Sequence, residues 1–428
     1  MALEIRPLTS NEPLRLKVMV ILLLLLPFFG QSFHYMKGAL PFWAASKAFP
    51  VLALPLALVL FRYPRLPLVR QILLTFVWVI LVPSFAGIYY FSQDFFTGVT
   101  AQVKLLPLLH FFSFLGLMLV LRPTLRELMV AFLILGVVTY VALVLMWALV
   151  PQSWYSGVYA FGSSPLFSMD SRGNRIRMPM YFGMITLFYC YRRFLDELRP
   201  RWLAGAFVGF ALTLWVVKTR AMMVGISGVV VINSFLAVSP LMRLALMLAT
   251  PLALGGLFSF GYLATMFSTD SSTGFDVRWE TASKAVDFLG VDPIRWLFGV
   301  GTISPTSSDS LFSFFDHFFF LADITWLGIL FEFGLIGAGL ILLYEVRGLL
   351  FFHRLKHRID SHFLGSLYDY VVYVVLISNF YPPTLTPGET AIILSIFVYV
   401  WHRLQMEDPA IAFEDTVAAS TVEAHHAG

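Results

Sequence analysis

The segment LRELMVAFLILGVVTYVALVLMWALV, Leu125–Val150, decides the fold because it is long and apolar enough to cross a membrane as a single helix. The hydrocarbon core of a bilayer requires about 20 predominantly apolar residues of α-helix. Similar segments recur along the chain, which is 59% hydrophobic and only 13% charged. Soluble domains carry about 25% charged residues because their surfaces face water. The composition therefore predicts a polytopic membrane protein with an all-α fold.

Counting every segment of this kind predicts about twelve transmembrane helices. Together they form a single transmembrane domain, residues 1–404, which a flexible cytoplasmic tail, residues 405–428, follows. The predicted helices lie near Leu16–Ser32, Phe42–Phe61, Val69–Phe91, Val103–Leu121, Leu125–Val150, Met178–Tyr191, Trp202–Val217, Ala221–Val238, Leu241–Phe267, Asp323–Glu345, Leu364–Phe380 and Glu389–Trp401.

The basic residues predict how these helices are oriented. Cytoplasmic loops of membrane proteins carry an excess of lysine and arginine. We therefore expect both termini to be cytoplasmic and loops 151–177 and 265–322 to lie on the outer face. The basic residues concentrate in alternate loops at Arg62, Arg65 and Arg70, at Arg122 and Arg126, at Arg192, Arg193, Arg199 and Arg201, at Arg243, and at Arg347, Arg354, Lys356 and Arg358.

Composition and spacing also argue against several kinds of partner. The net charge of +4 does not indicate nucleic-acid binding, because most basic residues lie in loops that set topology. The single cysteine, Cys190, excludes an intramolecular disulfide. No spacing of histidines, cysteines or carboxylates predicts a metal site, and nucleotide-binding glycine motifs are absent from the sequence. We expect no metal, no cofactor and no nucleic acid.

Loop 265–322 concentrates charge in a chain that is otherwise poor in it. Within this loop, Asp276–Leu289 reads DVRWETASKAVDFL, and its apolar residues recur at helical spacing. This pattern predicts an amphipathic helix at the membrane interface, with Arg278 in the first turn and Trp279 as an interfacial anchor. The loop closes with Asp316, His317 and Asp323 at the start of a predicted helix.

These three closing residues are candidates for acid–base chemistry. Asp316, His317 or Asp323 could act as a general base on a sugar hydroxyl. The alternatives are structural: His317 lies among phenylalanines and could be a polar group at the interface. Asp323 could simply cap the helix that follows it.

Two groups of basic residues are candidates for anion binding. Arg172, Arg175 and Arg177 stand just before a predicted helix, and guanidinium groups bind phosphate oxygens in a bidentate manner. They could hold a phosphorylated lipid head group, or they could only set topology or contact phospholipid. Lys218 and Arg220 lie between two apolar segments with almost no loop. Charges at such depth face a polar cavity or a partner, unless they extend to the interface.

Short motifs in the second half of the chain resemble those of the bacterial O-antigen polymerases and O-antigen ligases, which are integral-membrane C-type glycosyltransferases. In that superfamily a helix ends in Glu-x-Gly-x-x-Gly. The resemblance covers Arg172 to Gly339 and the pattern of helices. It rests on Thr219, Arg220 and Ala221, on Arg278 and Trp279, on Pro293, Gly299 and Gly301, and on Glu332, Gly334 and Gly337.

The resemblance implies transfer of a glycan from an undecaprenyl-diphosphate carrier at the periplasmic face of a bacterial inner membrane, without metal or nucleotide. It implies that Arg220 and Arg278 bind the diphosphate leaving group. It makes lipid-linked oligosaccharide and membrane lipids the expected partners, together with a chain-length regulator or export proteins. The expected substrate-binding residues are Arg172, Arg175, Arg177, Lys218, Asp316 and Trp279, and the expected catalytic residues are Asp323, His317, Arg220 and Arg278.

One departure from the superfamily favours a polymerase. Ligases have a histidine nine residues before the motif glutamate, where this chain has Asp323. Asp323 and Leu327 resemble the Asp-x-x-x-Leu pattern of exopolysaccharide polymerases, and Arg172 followed by Gly183 is similar to a polymerase spacing. Two alternatives stay open: a ligase that transfers glycan to lipid A-core, and a lipid-linked glycan transporter or flippase, since proline and glycine interrupt several helices.

Overall fold

The computed structural model describes residues 6–36, 39–156, 165–170, 173–237, 274–304, 311–315, 319–356, 358–378 and 387–407. Most of these residues are helical. The α-helices are α1 (Leu16–Phe29), α2 (Leu40–Leu52), α3 (Val69–Phe91), α4 (Phe95–Ala101), α5 (His110–Leu121), α6 (Leu125–Leu149), α7 (Tyr181–Glu197), α8 (Pro200–Leu212), α9 (Arg220–Ala237), α10 (Gly274–Leu289), α11 (Pro293–Phe298), α12 (Leu311–Phe315), α13 (Thr325–Lys356), α14 (His362–Ile377) and α15 (Pro387–Glu407).

Shorter helical turns extend several of these helices. A 3₁₀ segment, Leu54–Arg62, continues α2, and another, Val103–Leu109, leads directly into α5. A π-helical turn, Thr213–Val217, closes α8. Two further 3₁₀ turns, Gln152–Trp154 and Leu321–Ile324, lie outside the long helices.

Seven of the described helical segments are long and apolar enough to cross a membrane, so the chain is a helical membrane protein. Helices α1 and α14 are apolar but shorter. The total of twelve predicted spans is not confirmed, and the predicted span Leu241–Phe267 lies outside the described residues. The seven segments are Leu40–Arg62, Val69–Phe91, Val103–Leu121, Leu125–Leu149, Pro200–Val217, Arg220–Ala237 and Thr325–Leu355.

A small β-hairpin departs from the all-α expectation. Strand β1 (Phe167–Asp170) pairs antiparallel with β2 (Gly173–Ile176), in a register that places Ser168 opposite Arg175. Gly173 has a φ of +81°, a conformation that glycine adopts without steric cost. Glycine at this position therefore allows β2 to begin within a segment that the sequence indicates only as a loop.

The centre of the molecule lies between α5 and α15. Helix α5 buries every residue except Val120, and α15 is buried from Pro387 to Val400; the buried side chains include Phe111 and Phe114 of α5 and Phe397 of α15. Helix α6 differs, because it leaves Val137 and Leu145 exposed. Apolar side chains on an outer helix are expected where lipid replaces water as the surrounding medium.

Helix α13 is interrupted and does not end where the sequence predicts. Gly334 inside it has φ 68° and ψ −179°, which is not helical, yet the helix resumes and continues to Lys356. The predicted span Asp323–Glu345 is therefore too short at its end. The Glu-x-Gly-x-x-Gly motif therefore lies in the interior of the helix and not at its end. Backbone carbonyls freed by the break at Gly334 accept hydrogen bonds from residues 300–301, so the helix can continue beyond it.

Candidate functional site

The ends of several helices enclose a cavity of about 210 Å³ on one face of the molecule. Helices α7, α9 and α15 begin there, α14 ends there, and the β-hairpin contributes its second strand. Helix N-termini carry partial positive charge and unpaired amides, so this arrangement favours an anion. The lining residues are Gln31, His34, Tyr35, Arg175, Arg177, Met178, Pro179, Met180, Tyr181, Met184, Val217, Thr219, Ala221, Met222, Tyr370, Tyr373, Val374, Ile377 and Glu389.

The hairpin places two predicted arginines side by side on the cavity wall. The Nε of Arg175 donates to Ser168 Oγ at 3.1 Å, and the Nε of Arg177 donates to the same oxygen at 3.2 Å. Arg175 is buried. One hydroxyl thus holds the two guanidinium groups close together, and their other N–H groups are of the kind that binds phosphate oxygens.

The second predicted basic group meets the first at the same place. Lys218 follows the π-helical turn in a left-handed conformation, and its N–H donates to Thr213 O at 3.1 Å. A Cβ built on Gly173 of the hairpin would lie 3.5 Å from Lys218 Nζ. Thr219 lines the cavity, and Arg220 begins α9 directly after it. The structure therefore brings the Lys218–Arg220 segment next to Arg175 and Arg177, although of this segment only Thr219 is among the described residues that line the cavity.

Glu389, a carboxylate of the cavity wall, was not among the site residues predicted from the sequence. Glu389 lies in the first turn of α15, is buried, and accepts a hydrogen bond from the hydroxyl of Tyr370 through Oε2. The ring of Tyr370 packs edge-on against Tyr181 at 5.1 Å. A carboxylate at the start of an apolar helix is costly to bury and is therefore a candidate functional group. That signal was present at Glu389 in the sequence.

The predicted amphipathic helix exists as α10, but it does not reach the cavity wall. Ala285 and Leu289 are buried in a separate apolar cluster, whereas Trp279 is 70% exposed. Arg278 is also exposed. Neither Arg278 nor Trp279 is among the described residues that line the cavity. The structure thus separates Arg278 from the arginines of the hairpin.

The predicted acid–base residues are only partly described. Arg172, Asp316 and His317 lie outside the described residues. Asp323 belongs to the 3₁₀ turn Leu321–Ile324, directly before α13. The Nε1 of Trp326, at the start of α13, donates to Ser378 Oγ at 3.3 Å. Ser378 follows Ile377, which lines the cavity, so the backbone around Asp323 lies near the end of α14.

The glycine motif forms a second polar centre that is built from backbone. The break at Gly334 frees carbonyls of α13, which accept from the N–H of Val300 at 2.7 Å and the N–H of Gly301 at 3.2 Å. A Cβ on Gly299 would lie 2.6 Å from Glu332 O, and a Cβ on Gly301 would lie 2.4 Å from Pro83 O. Close approach of the two backbones therefore requires glycine here.

Side chains complete this second centre. Lys104 Nζ lies 2.6 Å from Glu332 Oε2, and Gln102 Nε2 donates to Glu332 Oε1 at 2.9 Å. Gln93 Nε2 donates to Thr302 O at 2.8 Å, which fixes the chain after the glycine turn. We name the ion pair and the glycine turn together, Lys104, Gly299–Gly301 and Glu332–Gly334, the glycine junction. The Glu332 carboxylate and the freed carbonyls of α13 are bonded within the junction, which indicates a structural role, whereas Gln102 Oε1 has no partner among the described residues.

Asp94, next to Gln93, caps the short helix α4. Hydrogen bonds from the side chain and backbone of Thr97 lower the pKa of the Asp94 carboxyl below its ordinary value of 3.8.

Within the part of the chain that the structure describes, no group of three histidine, cysteine or carboxylate side chains could hold a metal ion.

The cavity and the glycine junction therefore carry different chemistry. The cavity offers arginines, hydroxyls and one carboxylate at the edge of an apolar wall. The junction offers a carboxylate and backbone carbonyls that are already bonded to neighbouring groups.

No protein-family model matches this chain, and a search of curated proteins finds no similar sequence.

Proposed function

We propose that this protein is a membrane glycosyltransferase that polymerises lipid-diphosphate-linked oligosaccharides, and that the cavity holds a diphosphate head group. The observation that carries the proposal is the position of Arg175 and Arg177. Both donate to Ser168 on the wall of the cavity, where three helices begin, beside the Thr219–Arg220 segment.

The composition of the cavity wall supports an amphiphilic ligand. Arginine binds phosphate oxygens through two parallel hydrogen bonds, and the N-termini of α7, α9 and α15 add favourable partial charge. Methionines and aliphatic residues, among them Met184 and Val374, form the rest of the wall. A phosphate joined to a polyprenyl chain matches both the charged part and the apolar part of the cavity wall.

In the proposed reaction, a hydroxyl of the incoming oligosaccharide attacks the anomeric carbon of the growing chain with inversion. Asp323 or His317 accepts the proton of that hydroxyl. The arginines stabilise the charge that develops on the departing diphosphate, which is the electrostatic contribution expected to dominate when the leaving group is an anion. Arg175 and Arg177, which line the cavity, act on the leaving group together with Arg220, and Arg172 and Arg278 guide the second diphosphate or the glycan.

Incubation of the purified protein with undecaprenyl-diphosphate-linked repeat units tests the proposal. A ladder of products that grows by one repeat unit at a time supports a polymerase. Transfer that occurs only after lipid A-core is added supports a ligase instead.

The transporter alternative is tested in cells. Under the proposal, Arg220→Ala leaves lipid-linked repeat units on the outer face, unpolymerised. A transporter predicts that the same variant retains them on the cytoplasmic face. Long polymer from both Arg220→Ala and Arg278→Ala contradicts the proposed mechanism.

A further inference from the structure

Glu389 is the one carboxylate among the described residues of the cavity wall. Its Oε2 accepts a hydrogen bond from the Tyr370 hydroxyl, which holds the carboxylate in place. The hydroxyl of Tyr181, 99% buried in the same wall, has no partner within the described ranges. Buried polar groups are normally hydrogen-bonded, because leaving one unsatisfied costs about 1–3 kcal/mol. The Tyr181 hydroxyl, buried without a partner, and the Glu389 carboxylate on the same wall together indicate a ligand with hydroxyl groups.

The cavity has a basic side, which can bind an anion, and an acidic side, which can accept a proton. Arg175 and Arg177 form the anion-binding side. Glu389, which Tyr370 holds in place, forms a side that can accept a proton. Both sides line the same cavity of about 210 Å³, where the donor diphosphate and the acceptor hydroxyl would meet. Glycan transfer requires this pair of functions, an anion site for the leaving group and a base for the attacking hydroxyl.

We infer that Glu389 is a catalytic residue that binds the acceptor sugar hydroxyl and takes its proton, with Tyr181 donating to the same sugar. This inference rests on the proposed function and assigns its base to Glu389 in place of Asp323 or His317. The proton of the acceptor hydroxyl moves to Glu389 Oε1 as the oxygen bonds to the anomeric carbon. The bond from that carbon to the diphosphate oxygen breaks, and the electron pair leaves with the diphosphate. Glu389 then returns the proton to the released diphosphate or to water.

The decisive variant is Glu389→Gln, because its amide oxygen still accepts the Tyr370 hydrogen bond but the side chain cannot take a proton. In the polymerisation assay we expect kcat to fall by about 100-fold or more, with an unchanged KM for the lipid-linked donor. Tyr181→Phe should raise the KM for the acceptor by about fivefold, the effect of losing one neutral hydrogen bond. Glu345→Gln is the matched control, since Glu345 is also buried in a helix but does not line the cavity.

The pH profile separates catalysis from structure. A base must be deprotonated, so the wild-type kcat should fall as the pH is lowered, and Glu389→Gln should lose that dependence. A low-pH decline that survives in Glu389→Gln belongs to another group and overturns the inference. Among the described residues, the other titratable and charged groups around Glu389 are His34, Tyr35, His110, Arg175, Arg177, Tyr181, Tyr370 and Tyr373, with His110 Nδ1 3.1 Å from a Cβ built on Gly388.

The outcomes distinguish this inference from the proposed function. If the wild type builds polymer and Glu389→Gln builds it at the same rate, the inference is wrong and the proposed function stands. If Glu389→Gln loses donor binding together with turnover, Glu389 only shapes the cavity and the inference is also wrong. If the wild type builds no polymer, the proposed function fails and the inference fails with it.

Discussion

The cavity and the glycine junction use charged residues in opposite ways. In the junction, Glu332 is bonded to both Lys104 and Gln102, and the freed carbonyls of α13 are bonded to the glycine turn. In the cavity, the Glu389 carboxylate accepts a hydrogen bond from Tyr370, whereas the Tyr181 hydroxyl has no partner among the described residues.

The difference shows how to separate structural from functional polar residues inside a membrane protein. A paired buried charge stabilises the contact between its own segments, whereas an incompletely bonded group on a cavity wall is available to a ligand. Substitutions in the junction should therefore change stability, and substitutions in the cavity should change binding and turnover.

Gly334→Ala should have the largest effect. A Cβ at this position would lie 2.3 Å from Leu297 O, and the backbone conformation is one that glycine alone adopts readily. We expect a destabilisation of about 5 kcal/mol, seen as loss of monodisperse protein in size-exclusion chromatography. Gly339→Ala is the control, because a Cβ there meets nothing within 4 Å. Equal stability of the two variants would contradict the packing described for α13.

Lys104→Met should destabilise the protein by about 3 kcal/mol, because it leaves the buried Glu332 carboxylate without its ion-pair partner. Thermal unfolding in detergent measures the change. The double variant Lys104→Met/Glu332→Gln should recover most of it, since no uncompensated charge remains. A Lys104→Met variant that unfolds like the wild type but has lost activity would place this lysine in the site instead.

Arg177→Lys should reduce affinity for undecaprenyl diphosphate about tenfold, or about 1.4 kcal/mol, without a change in thermal stability. Lysine keeps the charge but loses the bidentate fork. Arg201→Lys, at an exposed position on α8, is the control and should bind normally. Unchanged binding by Arg177→Lys would show that charge alone suffices at the hairpin.

The smallest effect is expected at Asp94. Its pKa is lower in the folded state, so the stabilisation is present above the unfolded pKa and is lost as the pH falls through the folded pKa. Thermal unfolding from about pH 5 to pH 3 should show this loss in the wild type and not in Asp94→Asn, which retains a capping side chain. A pH dependence that is identical in both proteins would assign the loss to other carboxylates.

Long apolar segments were predictable from sequence because their pattern is local. The bounds of Val69–Phe91 agree with those of α3, and the amphipathic pattern of Asp276–Leu289 is confirmed by α10. The β-hairpin was missed because its strands are only four residues each, too short for a clear alternating pattern. The orientation of the helices and the placement of loops outside the membrane stay predictions.

Contacts between distant parts of the chain could not be predicted. The pair Lys104–Glu332 joins residues 228 positions apart, and nothing local to either residue identifies the other. The sequence indicated arginines at the hairpin and at Arg220 but not the cavity that joins them. Glu389 could have been proposed from its position in an apolar helix, whereas its bond to Tyr370 required the structure.

The central claim is that the cavity, and not the glycine junction, binds the lipid diphosphate. Its most direct test is equilibrium binding of undecaprenyl diphosphate to the purified wild type, to Arg175→Ala/Arg177→Ala, and to Lys104→Met/Glu332→Gln. We expect a loss of affinity of at least about 100-fold in the arginine variant, or about 2.7 kcal/mol, and wild-type affinity in the junction variant. Wild-type affinity in a folded Arg175→Ala/Arg177→Ala protein would contradict it.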